Sequence, residues 1–204
     1  EKFHKVLKSF SAFTFQGRDY SYFIHRYNNT WLNERTIEIP IIWKLVKEYN
    51  PQEVLEVGNV LSHYFSVNHD VVDKYEKAVN VISQDAVSFN PGKQYRLIVS
   101  ISTLEHVGWD EESRDPEKFF RAVENLKNLL VSGGQMIVTL PLGYNVYLDD
   151  VLKRGVKVFD RCYCLKRISI DNRWAEVDYR DIENAKYGRP FPFANALVIG
   201  VVEK

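Results

Sequence analysis

Two apolar runs, Arg96-Leu-Ile-Val-Ser-Ile101 and Gln135-Met-Ile-Val-Thr-Leu140, constrain this 204-residue chain more than any other feature. Each is almost continuously apolar, the pattern of a strand covered on both faces, which arises in parallel sheets sandwiched between helices. Between them lies the clearest helix. Asp115 can cap it, Pro116 suits its first position, Glu117 complements its dipole, and Phe119, Phe120, Val123, Leu126, Leu129 and Leu130 recur at helical spacing. Gly133-Gly134 is expected to end it.

The same alternation extends upstream. Pro40 can open a helix carrying Ile41, Ile42, Leu45, Val46 and Tyr49, stopped by Asn50-Pro51. Short β-rich runs follow at Glu53–Val57, Asp70–Val72 and Ala78–Ile82. Residues 1–35 hold many aromatics without a clean period and predict an irregular cap or lid. After residue 145 there are two long β runs, Arg161–Ile170 and Ala196–Val202, with no convincing helix, so an antiparallel pair joined by a long excursion is expected. The whole predicts one α/β domain over 1–204: a cap (1–35), a cofactor-binding core (36–145), and a C-terminal β pair with a substrate-side insertion (146–204).

Composition narrows the function. Lys+Arg 27 against Asp+Glu 27 gives zero formal net charge, which argues against nucleic acid or an anionic membrane surface as partner. No run is apolar enough to span a bilayer, and Glu1-Lys2-Phe3-His4 lacks a signal peptide's core, so a cytoplasmic location is expected. The sole methionine is Met136, so the chain as given starts after a removed initiator or inside a longer product. Cys162 and Cys164, on one strand face, are too few for a disulfide framework or a four-ligand zinc site. His25, His63 and His69 have no ligand spacing.

In open α/β sheets ligands bind beyond the carboxyl ends of the strands. Those ends read Leu55-Glu56-Val57-Gly58-Asn59-Val60-Leu61-Ser62, then Asp73, then Ser83-Gln84-Asp85-Ala86, then Ser100-Ile-Ser-Thr-Leu-Glu105-His106-Val107-Gly108-Trp109. This ordered set, followed by a helix leading through Gly-Gly into another strand, resembles the class I S-adenosylmethionine-dependent methyltransferases of the type 11 variety over about residues 53 to 145. The resemblance implies a three-layer Rossmann-like methyltransferase sandwich whose mostly parallel seven-stranded sheet has an antiparallel C-terminal strand. It implies S-adenosyl-L-methionine as cofactor, with Glu56, Gly58, Asn59, Asp73, Asp85, Ala86 and Ser102 around it. Gly58 offers a position without Cβ, and Asp73 can accept hydrogen bonds from both ribose hydroxyls. Where the family has two or three glycines only Gly58 stands; Asn59 could hold the turn at positive φ, but Val60 fits a glycine-type backbone poorly, so either the loop follows a different path or cofactor binding is impaired. The absence of Gly-x-Gly-x-x-Gly and of a Walker A sequence argues against nicotinamide and P-loop enzymes.

Glu105 and His106 are the catalytic candidates. Methyl transfer is an in-line displacement that needs alignment and, for a hydroxyl acceptor, a base, for which a neutral histidine is suited. Some relatives chelate magnesium through Glu-x-x-Glu-His. Ser102 replaces the first of those acids, so no metal is expected. Arg35 and Glu38 can reach the cofactor or the acceptor, and Trp109, Tyr144, Asn145, Trp174, Tyr187 and Asn195 offer rings and amides to a polar acceptor. The reading is O-methylation of a small-molecule or glycan acceptor. Its rival is a catalytically silent module that keeps the fold without the cofactor.

Overall fold

The computed structural model describes residues 12–204; the first part of the expected cap, residues 1–11, and the start Glu1–His4 lie outside the described residues. Strands β1 (Ala12–Phe15) and β2 (Arg18–Ser21) form a hairpin where an irregular cap was expected. Phe13 and Phe15 alternate with exposed neighbours, and Gln16 and Gly17 both take positive φ, the two-residue turn whose twist matches a hairpin.

The main sheet has eight strands in the order β5-β4-β3-β6-β7-β10-β8-β9. These are β3 (Val54–Val57), β4 (Asp70–Asp73), β5 (Val81–Ser83), β6 (Tyr95–Ile101), β7 (Leu130–Pro141), β8 (Arg161–Arg167), β9 (Trp174–Val177) and β10 (Ala196–Glu203). From β5 through β7 all pairings are parallel, while β10 is antiparallel to both β7 and β8. The expected mostly parallel sheet with a reversed C-terminal strand is thus present. It has one strand more than expected, because Trp174–Val177 adds to the edge of β8.

Helix α1 (Arg35–Val46) covers one face, with helices α2 (Lys118–Asn128) and α3 (Val146–Lys153) on the other. Strand periodicity divides the core accordingly. Ile98, Met136, Val138 and Val198 pack with Phe119, Leu126 and Leu148, whereas Leu97, Val99, Ile137 and Ile199 pack with Ile37, Ile42 and the hairpin phenylalanines. Burial on both faces explains why these strands read as continuous apolar runs.

Several expectations are corrected. Pro40 lies inside α1 instead of opening it. Its missing N–H would have bonded Thr36 O, and that carbonyl instead accepts the Phe23 N–H at 2.8 Å, while the Thr36 hydroxyl donates to Phe23 O at 3.1 Å. The proline frees an acceptor by which the helix holds the chain leaving the hairpin. Gly133-Gly134 lies within β7, the helix having ended at Asn128. The register slips between Tyr95 and Leu97, and Gly133 N–H bonds Lys204 O, so the glycines absorb a bulge. Residues 146–153 form a helix because Asn145 caps it, its side chain accepting the Leu148 N–H at 3.1 Å. The two cysteines are free, Cys164 buried and Cys162 exposed. None of the described helices is long and apolar enough to cross a membrane.

Gly143, just beyond β7, has φ +85, and a Cβ there would come within 2.3 Å of the Tyr187 backbone N. Gly143→Ala is expected to push the 186–187 loop off its seat and lower stability by roughly 2 kcal/mol or more, while Gly155→Ala, at positive φ in open space, costs only about 1 kcal/mol. Urea unfolding of the two variants measures the difference.

Candidate functional site

The carboxyl ends of β3, β4, β5 and β6 surround a cleft of about 610 Å³. Of the expected residues, Gly58, Asp73, Asp85, Ala86 and His106 line it. Val57, Val72, Ala86 and Val107 give it apolar walls, and Thr103, Asp110 and Glu111 complete the side formed after β6.

The turn after β3 needs a single left-handed residue. Gly58 has φ +87, and a Cβ on it would fall 2.2 Å from Thr103 Oγ1, so the absent side chain lets the β3 and β6 loops close on each other. Asn59 is not among the positive-φ residues, and Val60 has φ −108 in the right-handed region. The expectation that Asn59 holds a glycine-like turn is corrected: only Gly58 does. Asn59 instead donates its side-chain amide to Glu76 at 2.7 Å.

Glu56 lies beneath this turn, fully buried and off the cleft wall. Its Oε1 accepts the Val60 and Leu61 N–H groups at 2.9 and 2.8 Å, and its Oε2 meets His69 Nε2 at 2.9 Å. A buried carboxylate with three partners is a structural anchor. Asp73 is similarly engaged: Oδ1 accepts Tyr75 and Glu76 N–H groups at 2.8 Å each, while among the described residues Oδ2 accepts one N–H, that of Asn59, at 3.2 Å. Oδ2 therefore keeps acceptor capacity toward the cleft.

Asp85 belongs to a charge quartet that the sequence reading missed. Lys118 Nζ donates to Asp85 at 2.7 Å and to Glu111 at 2.6 Å, and Lys74 Nζ lies 3.1 Å from Asp85 and 3.0 Å from Glu111. Burial pushes the Asp85 carboxyl up, but the lysines and the Val87 N–H outweigh it and hold the group below its ordinary range. The clue lay in Asp73-Lys74-Tyr75-Glu76, where a cation directly follows the strand-end acid and all four residues line the cleft.

On the far side of the β6 loop is a second pocket of about 180 Å³, lined by Glu34, Arg35, Ser102, Glu105, His106, Tyr144 and Tyr187 among others. Ser102 and Glu105 are here and not on the larger cleft. His106 alone lines both cavities. Ser102 has φ +38, held by N–H bonds to Thr139 O and Oγ1 at 3.1 and 3.0 Å and by its hydroxyl donating to Glu38. Asn145 steadies Glu105 by donating to its backbone carbonyl at 2.9 Å.

His106 Nδ1 hydrogen-bonds Asp110 Oδ2, which also accepts the Tyr144 hydroxyl at 2.6 Å. Partial burial raises the Asp110 carboxyl, but these two bonds outweigh it and keep the group ionised below its usual range. Donation of Nδ1–H to this carboxylate leaves the lone pair on Nε2. Of the other expected contacts, Trp174 is buried in β9 and Asn195 bonds the carbonyls of Lys186, Phe191 and Phe193.

No protein-family model and no curated protein matches the sequence. Solved structures do. The N-methyltransferase NodS from Bradyrhizobium japonicum, in complex with S-adenosyl-L-homocysteine, superposes with a TM-score of 0.51 at 11% identity, covering 82% of this chain and 85% of that one. A possible histamine N-methyltransferase from Thermotoga maritima gives 0.47 at 13%, covering 79% and 86%. A SAM-dependent methyltransferase from Archaeoglobus fulgidus gives 0.46 at 16%, covering 80% and 93%. The chain has the fold of the class I S-adenosylmethionine-dependent methyltransferases.

Two predictions concern the site's supports. Glu56→Ala should cost about 3 to 5 kcal/mol, since it leaves two loop N–H groups and His69 without their partner; denaturant unfolding measures it. Asp149, which accepts the Gly143 N–H at 2.8 Å, has its pKa pushed up to about 6 by burial. Between about pH 4 and 6 the folded chain then binds more protons at this group than the unfolded chain does, so the contribution of Asp149 to stability falls as pH rises through that window. Asp149→Asn should flatten this limb of the stability profile.

Proposed function

We propose that this chain is an S-adenosyl-L-methionine-dependent methyltransferase that binds the cofactor in the larger cleft and a small polar acceptor in the smaller pocket. The observation that carries this reading is the position of His106, the one residue lining both cavities.

The residues present fit the cofactor. Val57, Val72, Ala86 and Val107 suit a purine between apolar walls, Asp73 Oδ2 retains a lone pair for a ribose hydroxyl, and Gly58 brings backbone to the cleft edge. Asp85 and Ala86, on the same cleft, would be the residues to hold the adenine rim, Asp85 together with its two lysines. When bound, the cofactor supplies a methyl group on a sulfonium. The chain's own part is to align the acceptor and move its proton. His106 Nε2 would take the proton of an acceptor hydroxyl held beside it, and Asp110, hydrogen-bonded to Nδ1, would stabilise the resulting imidazolium. Tyr144 fixes Asp110 in place. The acceptor reading remains a small-molecule or saccharide-like hydroxyl compound, matched to the small volume of this pocket, about 180 Å³.

The lysines that engage Asp85 favour a second reading, a binding module that has kept the fold and lost the cofactor. Isothermal titration with S-adenosylhomocysteine separates the two. One-to-one saturable binding, weakened about tenfold or more by Asp73→Asn, supports the enzyme. No binding by a folded chain supports the module. In the active enzyme His106→Ala should lower turnover about 100-fold or more while S-adenosylhomocysteine affinity changes little; unchanged turnover rejects His106 as base.

A further inference from the structure

The smaller pocket carries a charge imbalance that the methyl-transfer reading leaves unused. Glu105 is 1% exposed, and among the described residues neither of its carboxylate oxygens has a hydrogen-bond partner. The His106 imidazole lies close by, with Nε2 3.6 Å from Oε1, beyond hydrogen-bond length. Its neighbours are two further buried acids, Glu34 and Glu38, and one partly buried guanidinium, Arg35. Arg35 is bonded to Glu38, which also accepts the Ser102 and Thr139 hydroxyls, and Glu34 accepts the Ala194 N–H at 3.2 Å. Glu38 is therefore satisfied and Glu34 partly so, whereas the Glu105 carboxylate has no hydrogen bond among the described residues.

A buried carboxylate with both oxygens empty is costly unless it is neutralised or meets a cation. Burial, helped by the neighbouring Glu38 and Glu34 and opposed by Arg35, raises the Glu105 carboxyl well above its ordinary range, which is the free protein's way of avoiding the cost. The walls around it suit a cation better than a neutral group: Tyr144, Tyr187 and Phe193 line the same pocket, with the two tyrosine rings edge to face at 5.5 Å between centroids. We propose that the pocket selects an acceptor bearing an amine, held as its ammonium ion against the Glu105 carboxylate and beside the rings of Tyr144 and Tyr187. An ammonium nitrogen has no lone pair, so it serves as a handle, and a hydroxyl of the same molecule lies beside His106. Amino sugars and other amino alcohols have this chemistry. The word acceptor rests on the methyl-transfer reading; the ammonium site does not.

The test titrates the full chain with trans-2-aminocyclohexanol and with trans-1,2-cyclohexanediol, following the ring resonances of Tyr144 and Tyr187 by NMR, and measures S-adenosylhomocysteine binding separately. The amino alcohol is expected to bind at least about tenfold more tightly than the diol and to shift both tyrosines, and Glu105→Gln is expected to erase the preference. Equal affinities, a preference that leaves the tyrosines unmoved, or one that survives in folded Glu105→Gln would each overturn the proposal. Should that variant fail to fold, the wild-type comparison and the tyrosine shifts decide. S-adenosylhomocysteine binding without amine preference rejects this inference and keeps the methyl-transfer reading. Amine preference without S-adenosylhomocysteine binding does the reverse.

Discussion

The Glu38 carboxylate joins the parts of this molecule that the rest depends on. It is wholly buried, yet it accepts from the Arg35 guanidinium in its own helix, from the Ser102 hydroxyl at the end of β6 and from Thr139 in β7. A charge taken that far from water is tolerable only when each lone pair finds a donor, and here the donors come from one helix and two adjacent strands. The consequence is geometric. Thr139 also receives the Ser102 N–H, so the left-handed backbone that opens the Glu105-His106 turn is fixed from two directions.

Glu56 does the corresponding work one strand away, under the turn that carries Gly58. The two anchors share a logic: the acid lies behind the loop and the loop presents its backbone, not the acid, to the cavity. This division explains why acidic residues at strand ends separate into those that build the rim and those, such as Asp73 and Glu105, that keep acceptor capacity toward a cavity.

The central strands were legible in the sequence because burial on both faces leaves an unbroken apolar run, and α2 was legible because only one of its faces is buried. The helix after β7 was hidden, since its signal is a single Asn145 cap in a stretch rich in tyrosine and aspartate. Pro40 misled for a tertiary reason: the carbonyl it leaves free is taken by Phe23, thirteen residues before Thr36, and no local rule encodes that partner. Of the candidate site, Gly58, Asp73, Asp85, Ala86 and His106 could be placed on the cleft from strand order alone. The positions of Glu56, Ser102 and Glu105 could not, because which way a side chain turns at a strand end depends on the donors behind it. The Lys74–Lys118 quartet joins residues 44 apart in the chain and is a property of the folded loops.

Strand β10 lies between β7 and β8, antiparallel to both. The residues from 196 onward therefore hold the middle of the sheet, not its border. During synthesis β7 and β8 are both made before the strand that joins them, and until it arrives each presents an open row of backbone donors and acceptors. Closure of the sheet is a late, long-range event, the kind of step that makes folding slow and exposes a nascent chain to mispairing. The same central seat links the two ends of the sheet mechanically, so that whatever loosens β10 loosens the cofactor-side strands and the β8–β9 edge together.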